Sequence, residues 1–483
     1  MTFDNSYTRL PERFYQRIDP VPVAAPRLIA LNRALAAGLE IDLPEDEDQL
    51  AAVFSGNVLL PGTDPIAQAY AGHQFGNFVP QLGDGRAVLL GEVVTSQNTR
   101  HDIQLKGSGQ TRFSRGGDGR SPLGPVIREY VVSEAMHTLG VPTSRALAMT
   151  ATGETVVRET RLPGGVLTRV ADSFVRVGTF EFFAAREDED AVRQLADYAM
   201  ERHYPECRNA ANPYAALFKA VCQAQAGLVA RWLCVGFIHG VMNTDNTAIS
   251  GQTIDYGPCA FMDAYAPDRV FSSIDHQGRY AFNQQANIAL WNMACLGGCL
   301  LPLFHPDREE SGRVGEAILE DFTPAFTEHY RQGLCRKIGL EPGDHGFKLA
   351  RDLLKIMHQD RTDFTVTFRT LARNAAEPRP FEALFASGDA IRSWTDRWRN
   401  TLRAQGTSET SAGRAMRRAN PAYIPRNHRI EEAIRAAEDK NDFEPALRLA
   451  EVLANPFEEQ PDFAAYAEPP LPGDRVHQTF CGT

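Results

Sequence analysis

One short segment, FIHGVMNTDNTAISGQTIDYGP (237–258), constrains this chain more than any other. Two β-type runs, TAI and QTI, flank Ser250-Gly251, which predicts a hairpin with a two-residue turn. In that hairpin Asn246 lies directly opposite Asp255, and opposed residues in an antiparallel pair are about 4.5–5.5 Å apart at Cα. An amide oxygen and a carboxylate at this separation can share a hard divalent cation with nucleotide phosphates. The segment therefore predicts a metal site for a nucleotide.

The spacing within the same segment follows that of a catalytic loop. Protein kinases carry HRDxxxxN followed by a metal-binding DFG. His239 and Asn246 stand at the first and last positions of that loop, and DYG (255–257) stands where DFG would. The position of the general base holds Val241, which cannot accept a proton from a hydroxyl. The nearby carboxylate is Asp245, so the segment indicates either an inactive kinase-like fold or chemistry rearranged around Asp245.

Two glycine-rich stretches upstream could approach phosphate groups. In QLGDGRAVLLGEV (81–93), Gly83 and Gly85 allow a tight turn close to a phosphate, and Arg86 supplies a bidentate donor. The stretch is not GxGxxG, and a plain hairpin turn also fits it. FSRGGDGRSP (113–122) suits either a loop that closes over a charged ligand or an ordinary surface loop.

Lys106 ends a predicted strand, HDIQL (101–105), in an apolar setting. In kinases a strand lysine contacts the phosphates and pairs with a helix glutamate. The helix predicted over 122–140 offers Glu129 and Glu134. At about 100° per residue these two side chains point in different directions. Periodicity does not choose between them.

Two arginines, Arg169 and Arg176, lie seven residues apart and would share one side of the segment if it were helical. They could offset phosphate charge, or they could form surface salt bridges. The chain has a net charge of −11, which argues against general nucleic-acid binding. We therefore expect any nucleotide site to be a local basic pocket.

The character of the chain changes near residue 187. Before it, strands are predicted at 86–94, 101–105 and 153–160, around the helix 122–140. After it, the pattern predicts mostly helices, and the polar stretch 403–421 is predicted to be a loop. The predicted helices cover 215–240, 285–303, 314–338, 347–375 and 428–454.

The composition narrows the cellular setting. The eight cysteines form no CxxC pair, so neither a disulfide framework nor a zinc motif is indicated. The N-terminus lacks the apolar core of a signal peptide, and no uninterrupted apolar run approaches the ~18 residues of a membrane span. We expect a soluble cytoplasmic protein, acting as a monomer without a membrane or nucleic-acid partner.

Several long strings together resemble the selenoprotein O family. They span roughly residues 69–258, and DHQGRYAFNQQ (275–285) and NPAYIPRNHRIEEAI (420–434) extend the similarity. The strings are AYAGHQFGNFVPQLGDGRAVLLGE, QLKGSGQTRFSRGGDGRSPLGPVIREYVVSEAMHTLG, SFVRVGTFEF and the segment 237–258.

The resemblance implies an α+β, protein-kinase-like bilobal fold. A β-rich N-lobe would cover 61–170 and a mainly helical C-lobe 171–400, with extensions at 1–60 and 401–483. It further implies that ATP binds in an orientation reversed relative to kinases. AMP, rather than phosphate, would then pass to a Ser, Thr or Tyr hydroxyl of a client protein.

The resemblance also implies roles for individual residues, with Mg²⁺ or Mn²⁺ as cofactor and ATP as co-substrate. Asp245 matches the proton acceptor, and Asn246 and Asp255 match the metal ligands. Glu129 is selected as the partner of Lys106. The positions matching nucleotide-binding residues are Gly83, Gly85, Arg86, Lys106, Asp118, Gly119, Glu129, Arg169 and Arg176.

Three further questions stay open at this stage. Cys481 stands where eukaryotic members place selenocysteine, and it either pairs with Cys259 or is a free thiol on the tail. The stretch 265–277, where some bacterial members would supply a partner cysteine, contains none. A conventional kinase and a catalytically inactive nucleotide-binding scaffold remain alternatives. Val241 argues against the first, and the retained charged residues argue against the second.

Overall fold

An antiparallel sheet of nine strands forms the first part of the molecule, and the computed structural model describes residues 2–480. The strands are β1 Thr2–Phe3, β2 Tyr15–Arg17, β3 Arg27–Leu31, β4 Ile66–Gln68, β5 Gly72–Gln74, β6 Asn77–Val79, β7 Ala87–Val94, β8 Arg100–Lys106, β9 Ser121–Pro122, β10 Arg145–Val157, β11 Arg161–Ala171, β12 Phe237–Ile238 and β13 Ala260–Phe261. The main sheet has the order β2-β4-β7-β8-β11-β10-β3, with β1 paired to β7 and β9 paired to β11. Two two-stranded sheets, β5-β6 and β12-β13, stand outside it.

Most of the helices follow the sheet in the sequence. They are α1 Arg33–Gly38, α2 Glu47–Ser55, α3 Leu123–Thr138, α4 Val177–Ala184, α5 Glu189–His203, α6 Pro213–Val235, α7 Gln285–Phe304, α8 Arg308–Glu320, α9 Phe322–Lys337, α10 Asp344–Asp360, α11 Phe364–Arg373, α12 Arg379–Glu382, α13 Gly388–Ala404, α14 Glu409–Ala419, α15 Asn427–Lys440 and α16 Glu444–Leu453. The predicted order, a mixed α/β region followed by a mainly helical one, is confirmed.

The first sixty residues contribute strands β1, β2 and β3 to the main sheet. Strand β3 pairs with β10, and β2 pairs with β4. Helix α2 buries Leu50, Val53 and Phe54 against the face of β3, β10 and β11. These apolar residues recur at helical spacing, which is the pattern of a helix that covers a sheet.

Helix α6 ends at Val235, five residues before its predicted end at Gly240. Gly236 adopts a left-handed conformation (φ 74°) and closes the helix by donating its N–H to Leu233 and Trp232 carbonyls. Glycine favours this ending because it has no Cβ to clash at positive φ. Because the helix ends early, residues 237–258 all lie outside it and form the loop of the predicted site.

The predicted loop 403–421 is wrong, because it contains helix α14. Ser408 caps this helix by accepting the Ser411 N–H. Ala412, Gly413 and Met416 are buried on the face that contacts α11. Charged residues cover the other face of the helix. The composition of the stretch therefore predicted a loop, although a narrow apolar stripe is present. Three of the predicted long helices are each divided in two, into α8 and α9, α10 and α11, and α15 and α16.

The C-terminal helices α15 and α16 pack on the part of the molecule that contains the main sheet. Helices α15 and α16 both contact α3, the helix that supports the sheet. Arg128 of α3 pairs with Glu431 of α15 at 2.6 Å, and Glu438 accepts the Gly124 N–H at 3.0 Å. The position of α3 therefore depends on the C-terminal region.

One helical stretch, Phe282–Phe304, is long and apolar enough to span a membrane by length and composition alone. In this structure 56% of its apolar window is buried within the protein. It packs against α4, α6 and α8, as a core helix does.

Replacing Arg426 with Met should lower the free energy of unfolding by about 3 kcal/mol, because it leaves two partly buried carboxylates without their buried cation. Arg426 is 1% exposed, and it pairs with Asp263 at 2.8 Å and Asp363 at 2.6 Å. Denaturant unfolding measures the effect. Arg429→Met is the matched control, since its partner Glu432 is exposed and such pairs contribute about 1 kcal/mol or less. Equal losses in both variants would contradict this interpretation of the Arg426 cluster.

Candidate active site

A cavity of about 770 Å³ lies where the sheet meets the segment 241–258. This volume is within the range of about 300–1,000 Å³ typical of small-molecule sites. Its lining contains every residue predicted for the site except Glu129, which stands behind Lys106. These lining residues are Gly83, Gly85, Arg86, Lys106, Asp118, Gly119, Arg169, Arg176, Asp245, Asn246 and Asp255.

The cavity is basic although the chain is acidic. Seven basic and four acidic side chains line it, whereas the whole chain carries a net charge of −11. Such a local excess of positive charge attracts phosphate groups. The acidic composition of the chain predicted a local basic pocket of this kind. The basic residues are Arg86, Lys106, Arg115, Arg120, Arg158, Arg169 and Arg176, and the acidic ones are Asp84, Asp118, Asp245 and Asp255.

Lys106 pairs with Glu129, which settles a choice that periodicity left open. Its Nζ lies 2.5 Å from Glu129 Oε2, at the end of β8 and across from α3. Glu134 instead binds Arg145 at 2.7 Å and accepts a hydrogen bond from Asn32, outside the cavity. The pair Lys106–Glu129 has the arrangement of the lysine–glutamate pair of a kinase.

Three cations converge on Asp255. Arg169, Arg176 and Lys106 lie 2.6, 2.9 and 3.0 Å from its carboxylate. Burial raises the pKa of Asp255, but the charges of Arg169, Lys106 and Arg176 together outweigh burial and hold the pKa well below its usual range. Asp255 also has a left-handed backbone (φ 61°), an uncommon conformation for a non-glycine residue that aims its carboxylate into the cavity.

The two arginines reach the cavity from different elements, not from one helix. Arg169 is in strand β11, where Gln104 accepts from its guanidinium at 2.6 and 2.9 Å. Arg176 caps helix α4, and its Nη1 donates to the Asp245 carbonyl at 2.7 Å. Tyr70 packs under the Arg176 guanidinium, 4.5 Å from the ring centroid. Both arginines are nearly fully buried, so their positions are fixed.

Asp245 lies in a short 3-10 turn, Thr244–Asn246, at the edge of the cavity. Burial raises the pKa of Asp245 to about 6, against the opposing charge of Arg176. Its Oδ2 accepts from Gln74 at 3.3 Å, while its buried Oδ1 has no hydrogen-bond partner among residues 2–480. A buried carboxylate oxygen without a partner is costly and is characteristic of functional sites.

The predicted register of the hairpin is shifted by one residue. Thr247 pairs with Thr253, so the chain reverses through a longer turn than Ser250-Gly251 alone. Asn246 is therefore not directly opposite Asp255, although both side chains line the cavity. Asn246 Nδ2 donates to the Val241 carbonyl at 3.0 Å. This bond orients the amide so that its oxygen is the end available to a cation.

The glycines of the upstream turn are required by close packing. Gly83 has a positive φ of 76°, and a Cβ there would lie 2.4 Å from the Phe113 ring. A Cβ on Gly85 would lie 2.8 Å from the Phe113 carbonyl oxygen. The two glycine-rich stretches identified in the sequence therefore pack directly on each other, with Asp84 buried between them.

Replacing Gly119 with Ala should weaken ATP binding by about tenfold, because a left-handed alanine costs about 1–2 kcal/mol. Gly119 has a φ of 68°, and a Cβ would lie 2.1 Å from the Gly109 carbonyl. Calorimetric titration with ATP measures the effect. Gly117→Ala is the matched control, since its nearest neighbour, Ser114 O, is 3.1 Å away and its φ is not left-handed. Unchanged affinity in Gly119→Ala would contradict a role for this loop.

Sequence reasoning missed several residues of the cavity. Tyr70 contacts Arg176 and Gln74 donates to Asp245. Both lie in the string AYAGHQFGNFVPQLGDGRAVLLGE, which was quoted only for its resemblance. Asp84 stands between Gly83 and Gly85, and the motif analysis gave it no role. It accepts from the Gln68 N–H at 3.0 Å and from Gln104 at 3.1 Å, and burial raises its pKa. Arg158 reaches the cavity by pairing with Asp118 at 2.8 Å.

A basic cavity of this size beside carboxylates has the charge and volume expected of a nucleotide-binding site. The model of the family described as "Protein adenylyltransferase SelO" matches residues 1–454. The chain belongs to this family and is a protein nucleotidyltransferase.

Proteins described as "Protein nucleotidyltransferase YdiU" are similar to this chain over its whole length. The relative from Maridesulfovibrio salexigens is 57% identical over 100% of this chain and 98% of its own. That from Agrobacterium fabrum is 55% identical over 100% of both chains. That from Nitrobacter hamburgensis is 56% identical over 100% of this chain and 96% of its own.

Proposed function

We propose that this protein transfers AMP from ATP to Ser, Thr or Tyr hydroxyls of client proteins. The proposal rests on one observation, which is that two features occur together at one cavity. Arg169 and Arg176, which are buried, and Lys106, which is partly buried, meet there at Asp255. The position of the kinase base holds the buried Val241, while Asp245 lines the same cavity and has a carboxylate oxygen without a hydrogen-bond partner among residues 2–480. The cations suit a polyphosphate, and the carboxylate suits a hydroxyl nucleophile.

The proposed roles follow from these positions. Lys106, Arg169 and Arg176 exchange their contacts with Asp255 for contacts with phosphate oxygens, and so offset the charge of the leaving group. Asp245 accepts the proton of the client hydroxyl. The hydroxyl oxygen forms a bond to the α-phosphorus, the bond to the bridging oxygen breaks, and pyrophosphate leaves.

Asn246 and Asp255 would hold Mg²⁺ or Mn²⁺. Both offer oxygen ligands into the same cavity, which is the donor chemistry that these hard cations prefer. When bound, such an ion neutralises charge on the phosphate oxygens. Gly83, Gly85 and Arg86 would bind the nucleotide from one side, and the loop of Asp118 and Gly119 from another.

The proposal includes a kinase-like bilobal arrangement. The main sheet with α3 would form the N-lobe, around 61–170, and the helices from α4 onward would form the C-lobe, around 171–400. The pair Lys106–Glu129 between β8 and α3 supports this assignment, as does the loop 237–258 between α6 and α7. Strands β2 and β3 extend the proposed N-lobe into the first sixty residues.

Product analysis tests the proposed function. The protein is incubated with ATP, Mn²⁺ and a bacterial protein extract, and the released nucleotide fragments and modified proteins are identified. Pyrophosphate together with an adenylyl group on a client Ser, Thr or Tyr would support the proposal. ADP together with a phosphorylated client would instead identify a conventional kinase.

A further inference from the structure

A second cluster of metal-binding side chains lies behind the turn Thr244–Asn246. A ring nitrogen of His73, a carboxylate oxygen of Glu181 and Cys295 Sγ all lie within 4.8 Å of one another. They belong to strand β5, helix α4 and helix α7, which are far apart in the sequence. None of the three lines the nucleotide cavity. Tertiary packing therefore brings together three ligand types that the sequence shows no sign of combining.

These three side chains offer one nitrogen, one oxygen and one sulfur. Borderline-soft Zn²⁺ takes this mixture of ligands, whereas Mg²⁺ requires oxygen ligands. A thiolate and a carboxylate would cancel the charge of the dication, so the occupied site would be neutral. The Glu181 side chain is 4% exposed and that of His73 is 26% exposed, so the site is sheltered but reachable from solvent.

The surroundings orient two of the ligands. The Thr244 hydroxyl donates to Glu181 Oε2, leaving Oε1 towards His73. The His73 ring packs against Phe78 and Trp291, with centroids 5.0 and 5.2 Å away. Such outer contacts fix ligand orientation in metal sites, and losing one typically costs about 10–100-fold in affinity.

We propose that His73, Glu181 and Cys295 bind a zinc ion, with a fourth position left for water. The ion would replace the 2.5 Å hydrogen bond between His73 Nδ1 and Glu181, and it would displace the Cys295 proton. Burial, reinforced by the charge of Glu181, raises the pKa of Cys295 to about 12, so the thiol keeps that proton until a metal arrives. Arg279, which acts on Cys295 in the opposite direction, lies against the Trp291 ring at 4.7 Å.

The site would brace the catalytic turn. The His73 backbone N–H donates to the Thr244 hydroxyl at 2.7 Å, and the next residue, Gln74, donates to Asp245. A zinc ion that joins β5, α4 and α7 would hold these donors in place. It would be a positioning site, separate from the ion proposed for Asn246 and Asp255.

Cobalt substitution tests the proposal without nucleotide or turnover. The full-length protein is stripped with a chelator, titrated with Co²⁺, and then with Zn²⁺ in competition. A thiolate-to-cobalt charge-transfer band that saturates at one equivalent is expected. Cys295→Ser should abolish the band and weaken Zn²⁺ binding by at least the roughly 10–100-fold caused by losing an outer contact.

Two control variants test whether the cobalt charge-transfer band arises from this cluster. Cys299→Ser removes a buried thiol one helical turn further along α7 and should keep the band. His73→Gln should weaken Zn²⁺ binding while its fold, checked by circular dichroism, is retained. A wild-type protein without the band, or a band unchanged in Cys295→Ser, would overturn the proposal. Because no ATP is present, neither result depends on the proposed transferase activity.

Discussion

Replacing Asp255 with Asn should reduce AMP transfer by about 10³-fold or more, since a metal ligand supports several kcal/mol of charge stabilisation. Asparagine keeps the shape and tolerates the left-handed backbone of Asp255, whereas it removes the charge. ATP should still bind, because Lys106, Arg169 and Arg176 no longer have to leave a carboxylate to reach the phosphates. Initial rates and calorimetric ATP binding measure the two effects separately.

The same variant should show an unusual stability profile. Without ATP, Lys106, Arg169 and Arg176 lose the carboxylate that they share, and the midpoint of thermal unfolding should fall. ATP should restore more stability to the variant than it adds to the wild type, because phosphates replace the lost charge. Asp275→Asn is a matched control from the following segment, since its carboxylate accepts the Arg279 and Tyr280 backbone N–H groups. Asp275→Asn should reduce AMP transfer by less than tenfold. A larger loss would mean that the effect of Asp255→Asn is not specific to the proposed metal site.

Replacing Asp245 with Asn should lower kcat by about 10²–10⁴-fold, the usual contribution of a general base. The amide keeps the shape of the side chain and its place beside Gln74, but it cannot accept the proton of a hydroxyl. ATP affinity and the required metal concentration should not change. Rate measurements at saturating ATP, over a range of Mn²⁺ concentrations, measure both quantities.

Asn246→Ala provides the contrast for the Asp245 prediction. The two residues are adjacent in one turn, yet Asn246 is assigned to the metal and Asp245 to the proton. Asn246→Ala should raise the Mn²⁺ concentration needed for half-maximal rate, and Asp245→Asn should leave it unchanged. If both variants shift the metal requirement alike, Asp245 acts on the metal and its role as a base is wrong.

Local patterns in the sequence indicated much of the site, since most of its residues sit in short motifs. The segment 237–258, the strand that ends at Lys106 and the glycine-rich stretches all reach one cavity. The sequence failed where position depends on packing between distant elements. Arg169 and Arg176 meet because β11 and α4 both border the cavity, not because of a helical spacing.

The remaining errors of the sequence-based predictions concern the bounds of helices and turns, and contacts between residues that are far apart in the sequence. The charged surface of α14 concealed a stripe of three small or apolar residues, and the bridge between Thr247 and Thr253 is shifted by one residue from the predicted register. The cluster of His73, Glu181 and Cys295 has no sequence signature, because its ligands come from three separate elements. The pairing proposed for Cys481 lies outside the described residues, while Cys259 itself is buried.

Label transfer from ATP is the most direct measurement. The wild-type protein and Asp255→Asn are incubated with client protein, Mn²⁺ and ATP labelled at either the α- or the γ-phosphorus. Transfer of the α-label but not the γ-label, lost in the variant, is the expected result. Transfer of the γ-label alone would contradict AMP transfer and identify phosphorylation, and α-label transfer that persists in Asp255→Asn would contradict the proposed metal site.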